Sequence, residues 1–230
     1  MGSHQEIMDN HFLTIITARH CKRAFLDRAV PRALLEEVLR AAAHAPSTRN
    51  GQPWAVAVLL GAAREALAAR LCALFDSDAP MRMDYDSRPA EVPAAHQERA
   101  AAASLGVHAA KGIARDDPAG RRAHLRDNFR FYGAPAALIF HLPSNAAPGT
   151  FLEMGFFVQN VMLGLVACGL GSCPQASVTG YSDAIREHLG LGADRLIVCG
   201  MSVGYPDESA PVNRFAPERA PLSDYTQWLE

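Results

Sequence analysis

Between Pro46 and Pro53 the chain gathers side chains that can hydrogen-bond a flat, polar ligand: the hydroxyls of Ser47 and Thr48, the guanidinium of Arg49, and the carboxamides of Asn50 and Gln52. Trp54 follows directly. Both prolines forbid helix continuation and push the preceding residue into extended geometry, so the segment is a loop. Turn chemistry leading into a core Trp explains the same residues on spacing alone. A second cluster is Arg19-His20-Cys21-Lys22-Arg23-Ala24-Phe25. Its cationic and potentially cationic side chains could hold an anion through charge-assisted hydrogen bonds, with arginine adding a fork that fits phosphate. A solvated basic turn is the plain alternative.

Other chemistry is missing from the sequence. There is no Gly-x-Ser-x-Gly, no Walker loop and no Gly-x-Gly-x-x-Gly, so neither hydrolytic nor classical nucleotide-binding machinery is expected. The five cysteines are scattered without Cys-x-x-Cys, and the nine histidines form no His-x-x-x-His pair. Free thiols in a reducing compartment and no metal site follow. A net charge of -2 with a pI near 6.5 disfavours nucleic acid or a membrane surface as partner. Lys22 and Lys111 are the only lysines; the arginine bias fits carboxylate or phosphate recognition, and codon usage would give it too. The N-terminus lacks a basic-then-apolar signal pattern, which predicts a cytoplasmic protein, and Gly2-Ser3-His4 has the look of an expression remnant.

The elements that must position these residues can be read in order. His11 to Ala18 carries apolar residues at helical spacing. Pro31 opens a helix whose stripe is Leu34, Leu35, Val38, Leu39 and Ala42, ended by Pro46. Trp54 to Leu60 reads as a buried strand closed by Gly61, and Ala63 to Phe75 as an amphipathic helix. Asp76 to Pro93 is irregular, with Met81, Met83 and Tyr85 facing no obvious core. Loops this long are usually functional or mobile. Ala94 to Ala114 is Ala-rich and helical, Asp116 to Gly120 a turn, and Arg121 to Phe131 a helix with Arg122, Arg126 and Arg130 on one face, by default a solvated cationic one. Gly133 to His141 is a turn into a strand.

Phe151 to Cys168 is apolar nearly all round, the mark of a buried helix or a membrane span. Glu153, Gln159 and Asn160 argue against the span, and so apolar a helix suggests a dimer interface. Gly169 to Ser177 reads as a glycine-capped turn. Ser182 caps a short helix ended by Gly190, and Asp194 to Tyr205 is a strand. The tail, Asp207 to Glu230, is too irregular for a helix and too apolar for disorder, so it should dock on something.

Pro-Ser-Thr-Arg-Asn-Gly-Gln-Pro-Trp resembles the Pro-Ser-Ser/Thr-x-Asn-x-Gln-Pro-Trp loop of the FMN-dependent nitroreductase family. The basic cluster is similar to that family's N-terminal FMN-binding segment, Gly133 to His141 to its Ala-Pro strand, Gly169 to Ser177 to its Gly-x-x-x-x-Pro loop, and the tail to its C-terminal arm. The resemblance runs from about Arg19 to Leu222 and is weakest over Asp76 to Ala114. It implies an α+β fold, with a central, mostly antiparallel sheet flanked by helices, in an intertwined homodimer. One domain spans 1–230, with a core over 11–206, a lid or insertion over 76–114 and an arm over 207–230.

The same resemblance implies the site. Arg19 and Cys21 lie toward the FMN phosphate and Arg23 toward the pyrimidine end, with His20 between them as a further cofactor-binding residue. Cys21 stands where Ser is usual, and a thiol is the weaker donor, so its backbone N–H matters more. Pro46, Ser47, Thr48, Asn50 and Gln52 contact the cofactor. Asn128 and Arg130 match, at tighter spacing, residues that bond the flavin ring. Pro174, Gln175, Ala176 and Ser177 pass over the ring, with the N–H of Ala176 on N5. Arg219 and then Arg214 bring phosphate cations from the arm, and Pro217 replaces a Lys found in some members. Catalysis then belongs to FMN rather than to a side chain, with NAD(P)H as co-substrate, ping-pong turnover and a nitroaromatic (nitrobenzoate-like acids included) or quinone as acceptor. Enone reduction, reductive dehalogenation, flavin fragmentation and flavin binding without catalysis are the alternatives within the resemblance.

Overall fold

The computed structural model describes residues 11–87 and 89–230; the readings of Gly2-Ser3-His4 and of the first ten residues lie outside that range. Strand β1 (Ala55–Leu60) pairs with β2 (Ala136–Pro143), which pairs with β4 (Arg195–Gly204), which pairs with β3 (Gly171–Gln175). Every pairing is antiparallel. Along β2 the side chains alternate: Ala136, Leu138, Phe140 and Leu142 enter one core, Ala137 and Ile139 the other. The β2–β4 register shifts between Phe140 and His141. Accordingly β4 changes parity there, so that Leu196, Val198, Met201 and Val203 share the first core.

Helices cover both faces. On the first, α2 (Arg32–Ala42) buries Leu35, Val38 and Ala42 beside α6 (Pro148–Ala167), whose Met154, Phe157, Val161 and Leu165 repeat every three or four residues. On the second, α3 (Gly61–Asp76), α5 (Pro118–Phe129) and α7 (Ser182–Leu189) bury Leu67, Leu71, Phe75, Phe129 and Ile185. Helix α1 (His11–Ala18) packs on α6, and α4 (Ala94–Ala110) meets α8 (Pro211–Arg214).

Several elements depart from the sequence reading. Helix α2 stops at Ala42, before Pro46, and α4 at Ala110. The turn expected at Asp116 to Gly120 is the start of α5: Asp117 caps it by accepting the Gly120 N–H at 2.8 Å. Gly171–Gln175 is a strand rather than a turn, because the edge of β4 offers it a ladder. Ser182 is the first residue of α7, not its cap; Tyr181 holds that place, and the Ser182 hydroxyl donates to the Thr179 carbonyl at 2.7 Å. Gly190 ends α7 as expected, in the left-handed conformation (φ 65°) that glycine adopts without strain.

The segment after α3 is tied down more firmly than its composition suggests. Tyr85 packs on Phe151, ring centroids 4.9 Å apart, and donates to the Val198 carbonyl at 2.7 Å. Asp84 ion-pairs with Arg186 and accepts the Ile197 N–H at 2.8 Å. Helix α6 is buried along one stripe only; Leu152 and Phe156 face outward. It is the one described helix long and apolar enough to cross a membrane. The tail docks through Phe215, whose ring would lie 2.2 Å from a Cβ built on Gly106 of α4. Only glycine lets that ring approach the helix.

Candidate active site

A cavity of about 430 Å³ opens between the Arg19–Arg23 segment, α4, the end of α5 and the tail. Arg19, His20, Cys21 and Arg23 form one wall and Arg219 another, with Asn128 and Ser177 between them. Three arginines therefore line it from opposite ends of the chain, Arg219 with its guanidinium 3.4 Å from the Pro217 carbonyl. The volume falls in the range of about 300–1,000 Å³ usual for cofactor-sized ligands.

The Arg19–Arg23 segment is held by Asn213, which is fully buried in the tail. The Asn213 side-chain oxygen accepts from the Arg23 N–H (2.7 Å) and the Ala24 N–H (3.2 Å), while its amide donates to the carbonyls of Ala24 (2.7 Å) and Asp207 (2.9 Å). The ring nitrogens of His20 lie 2.9 Å from the Ala18 carbonyl and 2.8 Å from the Asn213 carbonyl. Lys22 donates to that same carbonyl at 3.1 Å and pairs with Glu208. His20 thus faces the cavity while its nitrogens serve the backbone.

Electrostatics in the cavity favour an anion. Burial works against the Arg23 charge, but Cys173, Cys21 and Tyr132 beside it raise its pKa overall, so it stays protonated. The Cys21 thiol is pulled down to about 6, first by a hydrogen bond with Cys173, against the opposing effect of burial, with Arg23 and Arg19 adding attraction. Burial, then Lys111, His108 and Arg23, push His124 in the cavity wall down to about 4, leaving it neutral near pH 7.

Tyr132 was not singled out in the sequence, yet it lines the cavity. Its hydroxyl donates to Asn128 Oδ1 at 2.9 Å. Phe131 and Tyr132 both take positive φ (56° and 51°), a costly conformation for aromatic residues. That strain, with the buried chain running Tyr132–Asn128–Gln175–Ser202, has no signature in local sequence. Gln175 donates to the Asn128 carbonyl at 2.6 Å and accepts from Ser202 at 2.7 Å, so its side chain braces the wall.

Other expected site residues lie elsewhere within one chain. Arg130 turns to Asp127, Nε to Oδ1 2.6 Å, and does not line the cavity. Arg214 donates to the Glu208 and Ser209 carbonyls of its own turn. Pro174 and Gln175 belong to β3, and exposed Ala176 follows them in a second cavity of about 610 Å³ beneath Met83, Tyr85 and Ser87. Ser177 touches both cavities.

The Pro46–Gln52 loop also lies outside the cavity. Its shape is nonetheless fixed. Ser47 Oγ accepts the Gln52 N–H at 3.0 Å, Glu153 of α6 accepts the Thr48 N–H at 2.8 Å, and Trp54 stacks on Phe157 at 5.0 Å. Arg49, Asn50 and Gln52 all have positive φ (52°, 55° and 44°). Three non-glycine residues in that region, with Thr48 and Asn50 exposed, are the kind of stored strain that clusters at binding sites.

Residues 16–205 match the model of the Nitroreductase family. The nitroreductase NfnB of Mycolicibacterium smegmatis is 36% identical over 214 residues, 93% of this chain and 91% of its own length. A 4-nitrobenzoate reductase of Pseudomonas putida is 35% identical over 224 residues, 97% of each chain. Among solved structures, the FMN- and NADPH-dependent nitroreductase NfnB from "sphigopyxis sp. strain HMH" superposes with a TM-score of 0.92 at 36% identity, over 95% of this chain and 99% of that one. The FMN-dependent NfnB from Mycobacterium smegmatis, solved in complex with NADPH, gives 0.90 at 36% identity over 95% and 97%.

Proposed function

The chain belongs to the nitroreductase family, and from that premise we propose that it is an FMN-dependent NAD(P)H oxidoreductase that reduces nitroaromatic acceptors, with Arg19, Arg23 and Arg219 holding the cofactor in the cavity they share. The observation that carries the reading is that those three arginines, from opposite ends of the chain, line one cofactor-sized space walled by Ser177 and Tyr132. The donor set fits a phosphate-bearing aromatic group: forked cations for a dianion at one end, and amide and aromatic side chains toward the other.

Bound there, FMN supplies the hydride-accepting and hydride-donating ring. The protein's part is to bind, orient and bias it. Arg19 and Arg219 neutralise the phosphate, with the Cys21 backbone N–H as a further donor. Arg23, kept charged, faces the pyrimidine edge, where negative charge is favoured on reduction. The Asn128 side chain is held by the Tyr132 hydroxyl on its Oδ1 and the Leu125 carbonyl on its amide, and Gln175 fixes its backbone carbonyl, so it presents a fixed wall. Ser177, which touches both cavities, would bring a ring reaching toward the second within range of Pro174 and of the Ala176 backbone N–H at the end of β3. With Arg130 turned to Asp127, Arg23 alone of the two supplies charge at the ring edge.

The reading includes a homodimer. Leu13 and Ile16 of α1 and Leu152 and Phe156 of α6 leave an apolar surface exposed on two helices that pack together. The Pro46–Gln52 loop, strained and exposed, stands outside its own chain's cavity, and a second copy would bring Pro46, Ser47, Thr48, Asn50 and Gln52 to the cofactor. Residues 76–114 serve as the cover of the acceptor site and 207–230 as the arm, with Arg219 and Arg214 as its cations. A cytoplasmic location, with NAD(P)H at hand, completes the picture.

Anaerobic mixing tests it. NADPH or NADH should bleach the bound flavin, and 4-nitrobenzoate should then restore its colour, with parallel double-reciprocal plots in steady state. Failure of both reduced nicotinamides to bleach the flavin would remove the reductase reading.

A further inference from the structure

Among the five cysteines only one thiol is activated, and it has a partner. Cys21 is half-buried and opens on the cavity, where Arg19 and Arg23 flank it. Its segment forms a parallel bridge with Ser172, and the Lys22 N–H donates to the Ser172 carbonyl at 3.0 Å. That bridge sets Cys173, 2% exposed, on the strand next to Cys21; its thiol lies 3.8 Å from the Pro174 carbonyl, and the two thiols are near enough to perturb each other's titration. The two cysteines share their proton unequally: Cys21 is lowered and Cys173 raised, each chiefly by the other. Cys72, Cys168 and Cys199 are all raised by burial, Cys199 to about 12. An accessible thiolate between cations, backed by a buried thiol, is the arrangement that reacts with peroxides and then resolves.

We propose that Cys21 and Cys173 form a reversible dithiol–disulfide site, oxidised by hydrogen peroxide or an organic hydroperoxide entering the cavity at Cys21. The Cys21 thiolate attacks the peroxide O–O bond, taking one oxygen as a sulfenic acid and releasing hydroxide (alkoxide from an organic hydroperoxide), which takes a proton from solvent. The Cys173 sulfur then attacks the Cys21 sulfur. The S–S bond forms, the S–O bond breaks, and the oxygen leaves as water with the Cys173 proton. Two thiols are oxidised by two electrons and one peroxide is reduced. A dithiol reductant reverses the step by exchange.

The cavity's ligand should control this chemistry, a consequence that rests on the phosphate-holding reading above. A phosphate on Arg19, with the flavin's edge on Arg23, would compete with the Cys21 thiolate for the same charges and raise the thiol's pKa. Ligand and oxidant therefore exclude each other: bound FMN shields the pair, and flavin-free protein is the form that is oxidised.

The test uses the full-length protein with FMN bound and after flavin removal. Treatment with hydrogen peroxide, alkylation and non-reducing digestion should yield a Cys21–Cys173 linked peptide that dithiothreitol releases. FMN should slow its formation about tenfold at pH 7, the loss of thiolate that follows from raising the thiol by about two units from its value of about 6. In Cys173→Ser, dimedone should trap a sulfenic acid on Cys21. Should that variant fail to fold, the pH profile of iodoacetamide labelling at Cys21 in unmodified protein serves instead, its midpoint well below that of an ordinary thiol. Oxidation spread over Cys72, Cys168 and Cys199 without the linked peptide, or a labelling midpoint near 8.5, would overturn the site. A linked peptide forming equally fast with and without FMN would leave the dithiol standing and remove the phosphate reading.

Discussion

The side-chain oxygen of Asn213 lies 2.7 Å from the backbone nitrogen of Arg23, across 190 residues of sequence, and the contact fastens the tail to the cation wall of the cavity. Its removal leaves the Arg23 and Ala24 N–H groups without their acceptor in a part-buried place, while the Ala24 and Asp207 carbonyls keep the N–H groups of Asp207 and Ala210. Asn213→Ala should therefore lower unfolding free energy by about 2–4 kcal/mol, read from urea midpoints, and weaken FMN retention on gel filtration. Unchanged midpoints would mean that the tail is not held there.

His124 gives a pH signature. Its folded pKa, about 4, is below the value of about 6.5 expected for an unfolded His. Between those values the unfolded chain binds the extra proton, so stability falls as pH drops from 6.5 toward 4. Asp127, also lowered from its ordinary value, titrates below that window. His124→Gln should flatten the dependence of urea midpoint on pH between 7 and 5 relative to the parent protein.

Tyr132→Phe keeps the ring and leaves Asn128 Oδ1 without its partner. A cost of about 1–2 kcal/mol is expected, with a weaker hold on the flavin ring seen as a red-edge shift or broadening of the bound flavin's visible band.

Gly106→Ala would put a methyl group 2.2 Å from the Phe215 ring. The ring, and the tail with it, must move. The variant should lose about 1–3 kcal/mol and show faster proteolysis after Phe215, whereas Gly149→Ala, with nothing within 4 Å of the added carbon, should behave as the parent protein.

The sheet and most helices were legible because their patterns are local. Ala136 to Leu142 is a nearly continuous apolar run, as a strand buried on both faces reads, and Leu34 to Ala42 repeats with a helical stripe. The basic cluster at Arg19 and Arg23 was legible for a different reason: charge stands out on a near-neutral chain. What stayed hidden was pairing at a distance. Strand β3 looks like a turn because Gly171, Ser172 and Pro174 have poor strand propensity, and only the edge of β4 orders them. Tyr85 seemed without a core because its partners, Phe151 and Val198, are far off in sequence. Arg130 sat on a plausible site position, but Asp127, three residues before it, takes the guanidinium.

The central claim is that the cavity grips its cofactor by a phosphate. Fluorescence titration of flavin-free protein with FMN and with riboflavin, which lacks that phosphate, tests it directly. Two or three charge-assisted contacts predict that FMN binds about 100-fold or more tighter, and that Arg19→Ala removes most of the difference. Equal affinity for the two flavins, unaffected by Arg19→Ala, would contradict it.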